Sequence, residues 1–327
     1  MRIWLVNHYA IPPSRPGGTR HYSLAKHMRD LGHDVTVVAA THGLPQSTGT
    51  APPSPGQECV NGVRFRWIEA PPYSKNSFQR LRNMVGFAKG FADWARAVPG
   101  PERPEVVVGS SPHLFAAVAA GQAARQMGSK FVAEVRDIWP ESLVDLGVPR
   151  WHPFVLWMAA LERRLHSLAD GLVTLLPKSV RYFEDRGVPK ERICVVPNGI
   201  DLGDAPAVPK REGESGPFRM VYAGAHGVAN GLDTLLDAAK ILQDVPVRFL
   251  LYGDGPERPR LAGRVQSEGI DNVELRGAVP KAEVHAALQS AGAGLLVLSK
   301  MDVFRYGISP NKLFDYLAMG LPVVVSV

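Results

Sequence analysis

The sequence predicts an α/β protein of two domains, each a parallel sheet covered by helices. Three observations carry that reading. Short apolar runs of strand length alternate with helix-like segments almost throughout. The alternation breaks at a polar, aperiodic stretch, GDAPAVPKREGESGP at 203–217, and then restarts. The length, 327 residues, suits two domains of ordinary size, and 45% hydrophobic against 21% charged residues lets each bury a core.

In the first half, strands are expected at 3–6, 34–39, 63–68, 105–109, 130–134, 171–175 and 193–196. Helices fill 20–31, 78–97, 114–127, 153–168 and 177–186. Between 43 and 58 the run GLPQSTGTAPPSPGQE is too rich in Pro, Gly, Ser and Thr to pack and reads as a surface loop. Residues 203–216 read as a linker between a first domain at 1–202 and a second at 217–327. The second domain has strands at 219–223, 247–252, 273–276, 294–298 and 323–325, with helices at 232–242, 258–268, 281–291 and 311–319. It ends on an apolar strand. Crossover helices cover parallel sheets, so a final strand leaves one face partly bare, and this domain is expected to be incomplete.

A net charge of +6 favours anionic partners. No Arg/Lys tract with interleaved aromatics marks a nucleic-acid module, so nucleic acid is not an expected partner. Cys59 and Cys194 lie far apart without metal-like spacing, which points to a reducing compartment. The opening MRIWLVNHYA reads as a buried strand, not a leader. No stretch approaches the roughly 20 apolar residues that span a bilayer. A cytoplasmic protein is expected, with a peripheral contact to the inner membrane face through 73–97. There Phe78, Leu81, Met84, Val85, Phe87 and Trp94 are interspersed with Lys75, Arg80, Arg82, Lys89 and Arg96. The competing reading is a helix packed on its own sheet with a solvated basic face.

Chemistry-bearing segments sit at strand ends, where open α/β sheets bind ligands. Gly17 and Gly18 follow the first strand and open a helix, where bare backbone and free N–H groups suit an anion. The pattern is not GxGxxG, and no acid ends the second strand to hold a dinucleotide ribose. EVRDIWPES gathers Arg136, Asp137 and Glu141 beyond a buried strand, too charged for packing alone. SSPH sets His113 at another strand end, and VVPNGID reads as a hinge between the domains. The turns at Gly224–Gly227 and 253–258 are expected to expose backbone N–H groups, with Arg258 adding a charge for a phosphate. In SPNKLFDY, Ser309 is the expected N-cap and Pro310 the first helical residue. Lys312 then falls in the first turn, where a cation opposes the helix dipole unless an anion is bound, and Asp315 could accept from ribose hydroxyls.

Together these segments resemble the family 4 glycosyltransferases. The similarity runs from PGGTRHYSLAKHMRDLGHDVTVVA through VVPNGID and GDGPERPRL to SPNKLFDYLAMGLPVV, nearly the whole chain. EVRDIWPES with YAGAHGVANGLDTLLDAA is similar to the bacterial branch that includes the N-acetyl-fucosaminyl transferases of O-antigen and capsule assembly. The resemblance implies the GT-B fold of two facing Rossmann-like domains. It also implies retaining transfer from a UDP-sugar, without an obligatory metal or other cofactor, to a glycan or polyprenyl-diphosphate-linked acceptor. The donor would bind the second domain and the acceptor the first. Asp315 matches the second, ribose-holding Glu of the family's paired-glutamate motif, whereas the first falls on Gly307. Arg136 stands where many relatives carry His. The Arg and Lys that usually hold the diphosphate fall on Ala225 and Asn230, so that role passes to Lys312, Arg258 and the Gly224–Gly227 turn. Asp137 or Glu141 is the expected orienter of the acceptor.

Three alternatives make different demands. A UDP-sugar epimerase of GT-B architecture would transform the donor without an acceptor. A nicotinamide dehydrogenase needs the missing glycine fingerprint. A non-catalytic nucleotide-sugar-binding relative would fit the missing acid at Gly307.

Overall fold

Strand β1 (Arg2–Val6) buries Ile3, Trp4, Leu5 and Val6, as a strand covered on both faces must. In the computed structural model, which describes residues 1–15, 17–43, 51–73, 78–111, 113–203 and 216–327, it is central to an eight-stranded sheet. Its neighbours are β2 (Asp34–Ala40) and β5 (Val106–Ser110), both parallel. Beyond β2 lie β4 (Val63–Ile68) and the edge strand β3 (Gly56–Val60). Beyond β5 lie β6 (Lys130–Val135), β7 (Gly171–Thr174) and β8 (Ile193–Val195). β3 runs antiparallel to β4 through Asn61 and Gly62, both at positive φ (49° and 81°), the backbone of a two-residue hairpin turn. This corrects two expectations: part of the 43–58 stretch is a strand, and the first sheet is mixed. Residues 44–50 of that stretch lie outside the described residues.

Helices α1 (Arg20–Asp30), α2 (Phe78–Ala97), α3 (Leu114–Met127) and α5 (Pro153–Leu168) fall where periodicity put them. The short α4 (Glu141–Asp145) was not foreseen, and the helix expected at 177–186 shrinks to α6 (Val180–Glu184). α3 packs between α2 and α5 and buries every residue from Leu114 to Gly121. Its small side chains permit this. A Cβ on Gly121, or on Gly109 in β5, would fall 2.7 or 2.8 Å from the Phe131 ring. α2 spends Met84, Phe87, Phe91 and Ala95 on the core, leaving Phe78 and Val85 outside.

The second sheet has order β11-β10-β9-β12-β13, formed by β9 (Phe218–Ala223), β10 (Val247–Tyr252), β11 (Val273–Arg276), β12 (Ala293–Val297) and β13 (Val323–Ser326), all parallel. Alternate side chains feed opposite faces. Tyr222, Phe249, Leu251, Leu295 and Val297 pack with α7 (Leu232–Ile241) and α8 (Arg258–Ser267). Val221 and Leu250 pack with α9 (Lys281–Gln289) and α10 (Asn311–Ala318) through Leu288, Tyr316 and Met319. On the edge strand β13, Val324 and Val325 are exposed.

The chain forms two compact units. The first comprises residues 1–12, 19–197 and 302–309, and the second 13–18, 198–301 and 310–327. Two short segments thus belong to the unit that their flanking sequence does not. Most of the expected linker, 204–215, lies outside the described residues. Among them, no helix is long and apolar enough to cross a membrane.

Candidate functional site

In the second unit, α10 is fixed by Tyr316. Its buried hydroxyl accepts from Ala223 N–H (3.0 Å) and donates to the Leu295 carbonyl (3.1 Å), tying the helix to β9 and β12. Lys312, one turn earlier on the same face, is thereby laid over the end of β9. Its ammonium donates to Tyr222 Oη (2.9 Å) and Asn230 Oδ1 (3.2 Å) and lies 4.0 Å from the centre of the Tyr222 ring. No carboxylate among the described residues forms an ion pair with it. Burial lowers its pKa from 10.5 to about 7, since these neutral partners do not repay the lost hydration. A Cβ on Gly224 would fall 2.9 Å from this ammonium, so glycine there keeps the space above the lysine open.

The turns at Gly224–Gly227 and 253–258 interlock backbone to backbone. Gly224 N–H donates to Tyr252 O, His226 N–H to Asp254 O, and Glu257 N–H to His226 O. Any Cβ on Gly253 would overlap the Gly224 carbonyl, and one on Gly255 would strike that of His226. The expectation that these turns expose N–H groups is therefore corrected for Gly224, His226, Gly253, Gly255 and Arg258, whose amides are all engaged. Side chains remain. The Arg258 guanidinium reaches only the Leu275 carbonyl, at 3.5 Å, and its Nε has no partner. His226 is fully buried with neither ring nitrogen hydrogen-bonded, and burial, with Arg258 and Lys312 nearby, lowers its pKa to about 4. Two cations and an unsatisfied imidazole around one glycine turn suit a polyanion.

Asp315 projects towards α9 instead, its Oδ1 3.6 Å from His285 Nε2. Gly17 and Gly18 join this unit: Gly17 holds φ +137°, and a Cβ on Gly18 would fall 2.8 Å from the Asn311 side-chain nitrogen, at the start of α10. Ser309 is not the N-cap. Pro310 takes that place, the helix begins at Asn311, and Ser309 belongs to the first unit. Gly307, also of the first unit, holds φ +95° with Pro177 Cδ 2.8 Å from where a Cβ would lie. Backbone strain and a steric block together explain why no acid stands there.

In the first unit, the ends of β1, β5 and β6 carry a buried network around Glu134. This carboxylate accepts from Arg20 Nε (2.9 Å) and Ser110 Oγ (2.5 Å) and meets His21 Nε2 (2.9 Å). Burial alone would raise its pKa, but His21, Arg20 and Arg136 outweigh that and hold it well below the usual carboxylate range. Arg20 also donates to the carbonyls of Val196 and Pro197, and Asn7 donates to Ser110 Oγ. Arg136 follows, its N–H on Ser111 Oγ (2.8 Å) and its buried Nε unpartnered, while Asp137 is exposed. His113 is buried, with Nε2 2.9 Å from His8 Nδ1 and Nδ1 unpartnered. Burial keeps its pKa well below 6.5, so it is neutral at physiological pH. Glu141 is engaged elsewhere, with Arg150 (2.8 Å) and Arg186 (3.0 Å). Sequence reasoning missed Arg20, His21, Tyr222 and Asn230. Their roles come from contacts 82 to 114 residues away along the chain, which no local pattern reveals.

Two family models match successive stretches of the chain. Residues 17–199 match the model of the glycosyl transferase 4-like domain, and residues 217–327 that of glycosyl transferases group 1. WcaI of Escherichia coli (strain K12), named for colanic acid biosynthesis as a glycosyl transferase, is 24% identical over 321 residues, covering 90% of this chain and 75% of WcaI. Sucrose-phosphate synthase from Thermosynechococcus elongatus superposes with a TM-score of 0.75 at 17% identity, covering 100% of this chain and 81% of that one. HepE of Anabaena, solved with UDP and glucose, gives 0.66 at 16%, covering 99% and 80%.

Proposed function

We propose, for a chain that belongs to the glycosyl transferase 4-like family and has the GT-B fold, that this glycosyltransferase moves a hexosyl or N-acetylaminosugar unit from a UDP-sugar with retention of configuration. The acceptor would be a glycan carried on a polyprenyl diphosphate, in the synthesis of a cell-surface polysaccharide at the inner membrane face. The likeness to WcaI supports the polysaccharide, and the likeness to HepE, solved with UDP, supports the nucleotide. One observation carries the donor site: the half-buried Lys312 ammonium, without a carboxylate partner among the described residues, beside the Gly224 turn.

On this reading the diphosphate lies against Lys312 and Arg258, and the ribose reaches Asp315 where it meets His285 of α9. As the anomeric bond lengthens, negative charge collects on the departing UDP, and fixed cations at that position lower the barrier more than they stabilise the ground state. These side chains, rather than a resident metal, supply the positive charge. In the first unit the unpartnered guanidinium edge of Arg136, with Asp137 beside it, orients the acceptor hydroxyl. Glu141 holds the start of α4 through its two arginines.

Thermal shift with UDP, GDP and ADP tests the donor site, since a ligand of the folded state raises the melting temperature by mass action. UDP should give the largest shift, and no shift from any of the three removes the reading. Transfer from UDP-sugars to a polyprenyl-diphosphate glycan, unchanged by EDTA, tests the rest. Conversion of the donor without acceptor would favour an epimerase.

A further inference from the structure

We propose that the outer face of α5, with the neighbouring stripe of α2, is a docking surface for an anionic lipid bilayer. Trp151, Leu156 and Trp157 are 76%, 57% and 45% exposed, which is unusual for three large apolar side chains within seven residues. Trp157 reaches its place by an edge contact with Phe115 of α3, ring centres 5.0 Å apart. Ala160, Arg163 and Arg164 continue the exposed face at helical spacing. Between residues 146 and 168 the sole acid is Glu162, and it is buried, accepting from Tyr182 Oη at 2.7 Å. The face therefore presents aromatic and aliphatic groups with positive charge and no negative charge.

α2 repeats the arrangement. Phe78, Arg82, Val85 and Lys89, spaced 4, 3 and 4 residues apart, are all exposed along one stripe. Residues 78–92 contain no acid, and Asp93 is paired with Arg96 at 2.6 Å. Both helices flank α3 on the same side of the sheet. Each lies in a crossover between parallel strands, so both start at the end where the strands finish, and their apolar residues gather at that end. Exposed Trp with Arg and Lys, and without acids, is the chemistry of a headgroup interface: rings enter the acyl boundary while guanidinium groups meet lipid phosphates. This charge complementarity selects an anionic bilayer over a neutral apolar partner. The surface belongs to the first unit and the proposed donor site to the second, and the proposal does not depend on that assignment.

The full chain would be sedimented with phosphatidylcholine vesicles, with and without phosphatidylglycerol. Binding is expected only with phosphatidylglycerol, with a blue shift of tryptophan emission and release by salt, which screens the attraction. Arg163→Glu with Arg164→Glu should reduce partitioning on the order of tenfold or more. Trp151→Ser, at the most exposed position, should also weaken it and reduce the blue shift. An unchanged melting temperature and UDP response would show that fold and donor site are intact. Equal binding to both vesicle types, or binding indifferent to these variants, overturns the proposal. So does a wild-type dimer on gel filtration that Trp151→Ser makes monomeric, because the face would then belong to a second copy.

Discussion

Replacing Lys312 by Met separates the work this side chain does for folding from the work it does for the donor. In the free protein its ammonium is half-buried against Tyr222 with only neutral acceptors, and burial lowers its pKa from 10.5 to about 7. Between those values the unfolded chain binds this proton more fully than the folded one. The wild type therefore gains stability from this group as pH rises through that window. Methionine removes the desolvation cost. Tyr222 keeps its own donation to the Ala225 carbonyl, while its hydroxyl oxygen and Asn230 Oδ1, both of them neutral acceptors, each lose a donor. The melting temperature at pH 7 should be unchanged or slightly raised. UDP binding should respond in the opposite way. A hydrogen bond to a charged group contributes about 1.5–3 kcal/mol, so affinity should fall roughly 10- to 150-fold. Because the diphosphate holds the amine protonated, wild-type binding takes up a proton above about pH 7. Affinity should then weaken towards about tenfold per pH unit, while the variant's profile is flatter. Calorimetric titration of UDP from pH 6 to 9 reads both effects. An unchanged Kd in Lys312→Met would refute the diphosphate assignment, and a wild-type profile no steeper than the variant's would refute the proton linkage.

Other outcomes follow from the first unit. Glu134→Gln leaves Arg20 buried without its carboxylate and should cost about 3 kcal/mol in denaturant unfolding. Because the folded-state pKa of Glu134 is depressed, its contribution is complete above pH 4.5 and erodes below it, so the deficit should narrow on acidification. Gly307→Glu, which places an acid where the family resemblance implies one, meets φ +95° and Pro177. It should lower stability by about 1–3 kcal/mol without raising turnover. Arg258→Ala should weaken UDP roughly tenfold, measured in the same titration, with the melting temperature nearly unchanged because its bond to Leu275 is long.

The elements of both sheets were legible because buried parallel strands and their crossover helices carry strong, different periods. The hairpin strand β3 was not, since Pro and Gly upstream hid it, although Asn61-Gly62 between two short apolar flanks was a usable signal. Lys312 was found from its place at a helix start, where its charge is locally unfavourable. What surrounds it was not legible, because Tyr222 and Asn230 arrive from β9 and the turn that follows it. Ser309 had the right chemistry for a cap but lies one residue too early, and Pro310 carries the chain into α10 instead. His113 illustrates the reverse: the residue was visible, while its burial against His8, more than a hundred positions away, belongs to the fold alone.

The burial of α3 has a consequence for how this protein can diversify. A helix with no water-facing residue through its first two turns, seated on Phe131 by Gly109 and Gly121, leaves no room for larger side chains. It should hold the slowest-exchanging amides of its unit. Substitutions that suit a new acceptor or membrane would then accumulate on α2 and α5, while the spacing between those helices stays set by the thin spine they share.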